Sequence, residues 1–597
     1  MNDRRAVVFD GCFGWLHDGS ARRGVVLCPA FGVEGLSALR AWGDLADRLA
    51  AAGLPTLRFD WPGTGDSLGD DRDPDRLPAW RAAAHAAVER LKAETGVEEV
   101  VLVGLRLGAT VAAEVAAARS DVALFVAAAP VVSGRRFLRE QKSFARLLRV
   151  RDEAGEPDAD EIGGWAVAGF FTAAATAEAL GAVDLLRAAP PAARVLMLAP
   201  EGDEAVAALA AKWREAGVQV EQFGFDGLET AIENPTRATV PEAAWARIVA
   251  AAGVGADAAP PRRPARPVAA PPRLDGGDWV ETPLEFGPGR RLFGVLTSPK
   301  HPRAGAPTVI LFDAGRIPHV GWGRGAVETA RELAAGGRRV LRMDTAGIGD
   351  SRAHPDGPEE VLYSRDQIED ARAAMDRLAA DGAERFVLVG TCSGAHVAFH
   401  AALADPRVVG LGMLNLQRFV WRPGDSLEVA MRNQLPAGSV YRRRLLRTDT
   451  WKRLFTGRIA VLTIAAELGR RWKARLAARI RRVFFTDPVR ADLRRLAARG
   501  AGVLFVFGTE DGGRDEFAAH VGKEEAVGRA VPGAVLHLVA DTDHNFSPRD
   551  ARLRVREHLV AFLDGIESRA PSTATGLAPA LVHLGSTLGS VVGATLA

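Results

Sequence analysis

The chain has 597 residues, 48% hydrophobic and 25% charged, with a net charge of +2, and is long enough for more than one folded domain. The near-neutral balance gives no global electrostatic attraction to nucleic acid. Three cysteines (Cys12, Cys28 and Cys392) are too few for a disulfide framework and suit a reducing compartment, and no apolar stretch follows the charged start MNDRR, so the expected location is cytoplasmic.

In chain order, short apolar runs alternate with amphipathic stretches, the pattern of a mainly parallel sheet covered by helices on both faces. The first runs are GVVLC (24–28), TLRFD (56–60), EVVLVG (99–104), ALFVAAAP (123–130) and RVLMLAP (194–200). A Pro/Ala/Arg segment, 256–277, cannot bury a core and reads as a semi-rigid linker. The order then restarts with TVILF (308–312), a helix around 325–336, RVLRMD (339–344), a helix around 364–380 and RFVLVG (385–390). VVGLGMLNL (408–416), GVLFVFG (502–508), VLHLV (535–539) and an amphipathic helix at 549–564 follow. Residues 45–67 match 329–351, and 100–112 match 386–398 at nearly the same offset, so one unit is written twice. The expected organisation is a first copy at 1–255, the linker, a second copy at 278–566, and an uncharged low-complexity tail at 567–597.

Each copy carries a strand, a tight turn flanked by glycines, and a helix. In the second copy the turn is Gly390-Thr391-Cys392-Ser393-Gly394, in which Gly390 and Gly394 leave room for a strained bend that aims Cys392 out over the sheet edge. A helix N-terminus beneath the sulfur favours negative charge there. Shifting the register to Ser393 would misplace both glycines, so Cys392 is the better nucleophile.

Here the sequence resembles the α/β-hydrolase superfamily, over most of 1–255 and 278–566. The G-x-C-x-G form is similar to its cysteine members such as dienelactone hydrolases. GxCSGA together with the upstream DxxGxGDS resembles hydrolases encoded beside exosortase and exopolysaccharide systems. The resemblance implies an α/β fold of two tandem hydrolase-like domains, each with a helical cap, and the order nucleophile, acid, histidine. Asp511, after GVLFVFG, fits the acid, with Asp515 as the alternative, and His544 fits the base. An oxyanion hole would use the N–H of Ser393 and that of Gly315 or Arg316 in the loop after TVILF, where His319 would line the pocket. His537 reads as structural. His396 and His400 sit one helical turn apart but have no further ligand cluster around them, so no metal and no cofactor is expected.

The first copy has Gly104-Leu105-Arg106-Leu107-Gly108 at the same turn. A guanidinium cannot act as a nucleophile. Asp203 keeps the acid position, where it would pair with Arg106, and Thr236 stands where a histidine is expected. This copy reads as a pseudo-hydrolase with a structural or ligand-binding role.

Residues 418–500 form the inserted cap, with nineteen Lys/Arg against four Asp/Glu over 431–500. Three readings stay open for its basic faces: solvation, attraction of an anionic substrate or acyl carrier, or contact with an anionic membrane surface. In the tail, Gly585, Gly589 and Gly593 have the spacing of membrane-helix packing, while Pro579 and His583 favour a loosely docked segment. The expected activity is hydrolysis of an ester, thioester or lactone through a cysteine acyl-enzyme. The alternatives are acyl transfer by the same site and a non-catalytic scaffold.

Overall fold

The computed structural model describes residues 4–152, 163–255, 272–357, 360–422 and 487–569, with the single positions 425 and 427. Most of the linker, the two basic stretches of the cap (441–455 and 468–485) and the glycine-spaced tail lie outside the described residues. Among the described residues, no helix is long and apolar enough to cross a membrane.

The first copy builds an eight-stranded sheet from β1 (Arg4–Phe9), β2 (Cys12–His17), β3 (Arg23–Cys28), β4 (Thr56–Phe59), β5 (Glu99–Leu105), β6 (Val122–Ala128), β9 (Arg194–Ala199) and β10 (Gln219–Gly224). A separate hairpin joins β7 (Gly164–Val167) and β8 (Phe170–Ala173). The second copy builds a nine-stranded sheet from β11 (Leu274–Asp275), β12 (Trp279–Phe286), β13 (Leu292–Pro299), β14 (Thr308–Phe312), β15 (Val340–Asp344), β16 (Phe386–Thr391), β17 (Val408–Leu414), β18 (Gly502–Gly508) and β19 (Ala534–Val539). The strand orders are 1-2-4-3-5-6-9-10 and 11-12-13-15-14-16-17-18-19. Both sheets are parallel except at one edge, where β1–β2 and β12–β13 are antiparallel pairs that feed onto β4 and β15.

The central strands are near-continuous apolar runs because both faces are covered. In β3, Val25 and Leu27 face helices Gly32–Ala51 and Glu242–Gly253, while Val26 and Cys28 face Arg76–Thr95 and Leu107–Ala117. In β16, Val387 and Val389 pack toward helices Gly325–Ala335 and Arg549–Glu567, and Phe386 and Leu388 toward Arg365–Ala380 and Ser393–Ala404.

The two copies meet through their matching DxxGxGDS loops. Within each, the first Asp holds the loop: Asp60 Oδ2 accepts from Asp66 N at 2.9 Å, and Asp344 Oδ2 from Asp350 N at 2.8 Å. The second Asp is exported to the other copy. Asp66 accepts from Arg342 of β15 at 2.6 Å, and Asp350 accepts from Arg58 of β4 and from Trp15 Nε1 at 3.1 Å. Arg342 also donates to Glu281 at 2.7 Å. Phe13 and Phe293, at matching positions of β2 and β13, face each other with ring centroids 6.2 Å apart.

His319, expected to line the catalytic pocket, instead lies in this interface with one ring nitrogen 2.7 Å from Asp344 and the other 2.8 Å from Asp66. Its loop places it between a carboxylate of its own copy, Asp344, and one of the first copy, Asp66, which together suit a doubly protonated ring. Burial works to lower its pKa, but Asp344 and Asp66 outweigh this and raise it well above the usual histidine range.

Arg342→Met should lower stability by about 1.5–3 kcal/mol, because Asp66 keeps only His319 and Glu281 only Arg331 as buried cationic partners; the urea midpoint measures this. The contribution of His319 is fully present below its unfolded value of about 6.5 and is lost as pH rises through the raised folded value. His319→Asn should therefore flatten part of the alkaline decline in melting temperature.

Candidate active site

At the end of β16, Cys392 has φ 55° and ψ −113°, and its N–H donates to Leu414 O at 2.9 Å. The turn needs both flanking glycines: a Cβ on Gly390 would lie 2.1 Å from Gly394 O, and one on Gly394 would lie 2.5 Å from Phe312 O. The sulfur-bearing side chain is buried at a cavity of about 60 Å³ that His544 also lines.

His544 comes from the loop between β19 and helix Arg549–Glu567. Its Nδ1 lies 2.5 Å from Asp511 Oδ2, while Nε2 has no hydrogen-bond partner among the described residues. Asp511 Oδ1 accepts from Gly513 N at 2.7 Å and from Gln417 Nε2 at 2.9 Å. Burial pushes the imidazole toward its neutral form, but Asp511 and then Cys392 raise its pKa well above the ordinary range. Asp511 is thus the carboxylate that meets His544, and Asp515 lies in the first turn of helix Gly513–His520.

The candidate oxyanion donors are engaged. Gly315 N–H donates to Ser393 Oγ at 2.8 Å, and Arg316 N–H donates to Thr236 Oγ1 of the first copy at 3.4 Å. His396 and His400 contact the carbonyls of Arg418 and Phe419, and burial pushes His396 down to about 3. His537 stacks on His558 with centroids 3.9 Å apart. Among the described residues one group has metal-ligand spacing, His319, Asp344 and Asp350. The His319 nitrogens are taken by carboxylates, and Asp350 by Arg58 and Trp15.

Three site residues escape a sequence reading. Asn415 (φ 44°) donates to His544 O at 2.7 Å and accepts from Gly508 N at 2.8 Å, tying the ends of β17 and β18 to the histidine loop. Gln417 supports Asp511. Tyr363 lines the cavity and stacks on Trp421 with centroids 4.3 Å apart. The position of LNLQ at a parallel strand's carboxyl end, where such sheets place their sites, is the one signal for the first two.

In the first copy the turn is repeated with Arg106 at φ 53° and ψ −120°. The expected pairing with Asp203 does not occur. Arg106 Nε donates to Glu34 Oε1 at 3.1 Å, and Asp203 caps helix Glu204–Glu215 through the N–H groups of Ala205 and Val206. Helix Gly32–Ala51 brings a nearer carboxylate to the elbow, leaving Asp203 free for a local cap. Thr236 is not beside Arg106 either; it lies in the cavity of the second copy.

Residues 24–154 match the family described as serine aminopeptidase, S33, and residues 318–557 match the alpha/beta hydrolase family. No curated protein matches the sequence. Similar solved structures include a bacterial membrane phospholipase A, 18% identical, covering 49% of this chain and 88% of that one with a TM-score of 0.29. An esterase of Pyrococcus furiosus is 14% identical, covering 42% and 89% with a TM-score of 0.31. A proline iminopeptidase of Mycobacterium smegmatis is 17% identical, covering 50% and 99% with a TM-score of 0.31. The two family matches fall one on each sheet, so the chain has an α/β fold of mainly parallel sheets with two regions in tandem that match α/β-hydrolase family models.

Asp511→Asn should lower the pH at which the His544 ring titrates, since the largest raising influence is removed; the imidazole resonances followed by NMR against pH measure the shift.

Proposed function

We propose that the second domain hydrolyses an ester, thioester or lactone through Cys392, and that the first domain has no catalysis of its own. The observation that carries this reading is the unpartnered Nε2 of His544, facing the cavity it shares with Cys392 while Nδ1 is held by Asp511.

The Cys392 thiol gives its proton to His544 Nε2, and the sulfur attacks the substrate carbonyl carbon. Negative charge collects on the carbonyl oxygen, which the Ser393 N–H and the Gly315 N–H receive once the Ser393 hydroxyl gives up its hold on the latter. Collapse of the tetrahedral adduct breaks the acyl–oxygen or acyl–sulfur bond, and the imidazolium protonates the leaving group. Water then attacks the acyl-thioester, His544 takes its proton, and the thiol is released with the carboxylic acid. Asp511 holds the ring tautomer throughout and stabilises the imidazolium. An amine or alcohol in place of water would make the same site an acyltransferase. In the first domain Arg106 stands at the nucleophile's place and is paired with Glu34, and Thr236 stands where a histidine is expected in chain order, which supports a structural or binding role there.

Intact-protein mass spectrometry after incubation with an activated ester should show an acyl adduct that disappears in Cys392→Ala, with turnover reduced at least about a thousandfold. His544→Ala should slow carboxymethylation of Cys392 by iodoacetamide at neutral pH by at least about tenfold. Cys12 and Cys28 are buried, and burial pushes both thiols up, Cys12 to about 12, so they make a low background. An adduct that persists in Cys392→Ala, or alkylation indifferent to His544, removes the enzymatic reading and leaves the scaffold.

A further inference from the structure

Part of the wall of the cavity that holds Cys392 and His544 belongs to the other domain. Asn234, Pro235 and Thr236 of the first copy line the same space as Gly315, Cys392 and His544. They are presented on a locally fixed turn, in which Thr236 N–H donates to Asn234 Oδ1 at 2.9 Å and Arg237 N–H donates to Asn234 O at 3.1 Å. The fit at its tip is close. Gly315 sits at φ 57°, and a Cβ there would lie 2.5 Å from Thr236 Oγ1, so only glycine leaves room for the threonine. The Thr236 hydroxyl in turn accepts from Arg316 N–H.

Two further contacts from the first copy hold the same loop. Trp322, another wall of the cavity, donates its indole N–H to Ala168 O at 2.6 Å and meets Phe170 edge-on at 6.0 Å. Leu36 packs in one apolar cluster with Ala314, Ile317 and Cys392. The loop after β10, where a hydrolase of this plan would carry its base, has therefore been turned outward into its neighbour's site.

We propose that the first domain acts as a built-in part of the second domain's active site, with Thr236 a positioning residue for the Gly315–Arg316 loop and a determinant of acyl size. This rests on the hydrolase reading above and adds the substrate class to it: short acyl groups. Pro235 and Thr236 stand in the same small cavity as Cys392, of about 60 Å³, and take up room that a longer acyl chain would need. The Thr236 hydroxyl fixes Arg316 N–H, and with it the orientation of the adjacent Gly315 N–H that receives the oxyanion.

The test uses the full chain and two readouts. The first is kcat and KM on thioesters from acetyl to octanoyl. The second is the ratio of Cys392 alkylation rates by iodoacetamide and by N-octyl iodoacetamide, which needs no turnover. Thr236→Val keeps the shape and removes the acceptor, and should lower kcat on the acetyl substrate by about twofold to tenfold, the range of one neutral hydrogen bond, with KM little changed. Thr236→Ser should restore it, which a merely structural role would not require. Thr236→Ala should raise relative alkylation by the octyl reagent at least about threefold and shift the preferred acyl group toward longer chains.

If all three variants keep the native kcat, chain-length order and alkylation ratio while Cys392→Ala abolishes turnover, the hydrolase reading stands and this inference falls. If the alkylation ratio responds to Thr236 but no acyl substrate turns over in a Cys392-dependent way, the shared cavity stands and the hydrolase reading falls.

Discussion

Arg58 and Arg342 occupy the same place in two copies of one strand, and each leaves its own domain to neutralise an aspartate on the other. Burying such charges costs several kcal/mol for each ion, and the attraction between them offsets this only where every donor and acceptor is met in good geometry. An exchange of this kind adds little net stability, but it permits one relative placement of the domains, since any slip leaves a charge buried alone. His319 makes the placement consequential. Bound by Asp344 on one side and Asp66 on the other, it stands in the loop that also carries Gly315, Arg316 and Trp322. The electrostatic clasp and the cavity beside Cys392 share that backbone, so fixing the interface also fixes one wall of the candidate site.

The two copies keep the same turn with different residues at its apex, Arg106 in one and Cys392 in the other. The bend at Arg106 persists, because its glycines are required by the packing of strand against helix and not by chemistry: a Cβ on Gly104 would lie 2.2 Å from Ala109 Cα, and one on Gly108 2.2 Å from Pro29 O. The acid and base positions carry no such requirement. Asp203 does the local work of a helix cap, and Thr236 has moved into a neighbouring cavity. Sterically imposed residues stay in place after duplication, while functionally imposed ones become available for other contacts.

The same distinction explains what the amino-acid sequence reveals. The repeat, the central strands and the Cys392 turn are legible because local rules impose them: alternation of apolar side chains, glycine at a tight bend, and order along the chain. His544 and Asp511 follow from that order. The antiparallel edges β1–β2 and β12–β13 escape notice because β1 and β12 are half-exposed, and buried β2 and β13 interrupt their apolar residues with Gly14 and His17, and with Gly294 and Thr297. Arg58 and Arg342 stand in mid-strand, in TLRF and VLRMD, and a buried arginine at the same place in both copies is a visible oddity. Its partner, some 280 residues away, leaves no local trace. Arg106 seeking Glu34 instead of Asp203, and His319 seeking Asp66, fail for the same reason: a charge pairs with the nearest carboxylate in space, and sequence spacing does not encode that distance.

The second copy contains Cys392, His544 and Asp511, yet it is not a self-sufficient unit. Removing the first domain would bare Phe293, leave Arg342 paired with Glu281 alone, and strip Asp66 from His319. The His319 ring would then retain one carboxylate in place of two, and its loop would lose Thr236, the Ala168 carbonyl and Leu36 as supports. The loop bearing Gly315 has glycines at 315, 321 and 323 with positive φ, so its own backbone supplies little resistance to rearrangement. Its conformation is imposed from across the interface. The first copy therefore has a physical role that does not depend on chemistry of its own: it supplies from outside the rigidity that the glycine-rich loop beside Cys392 lacks within its own fold.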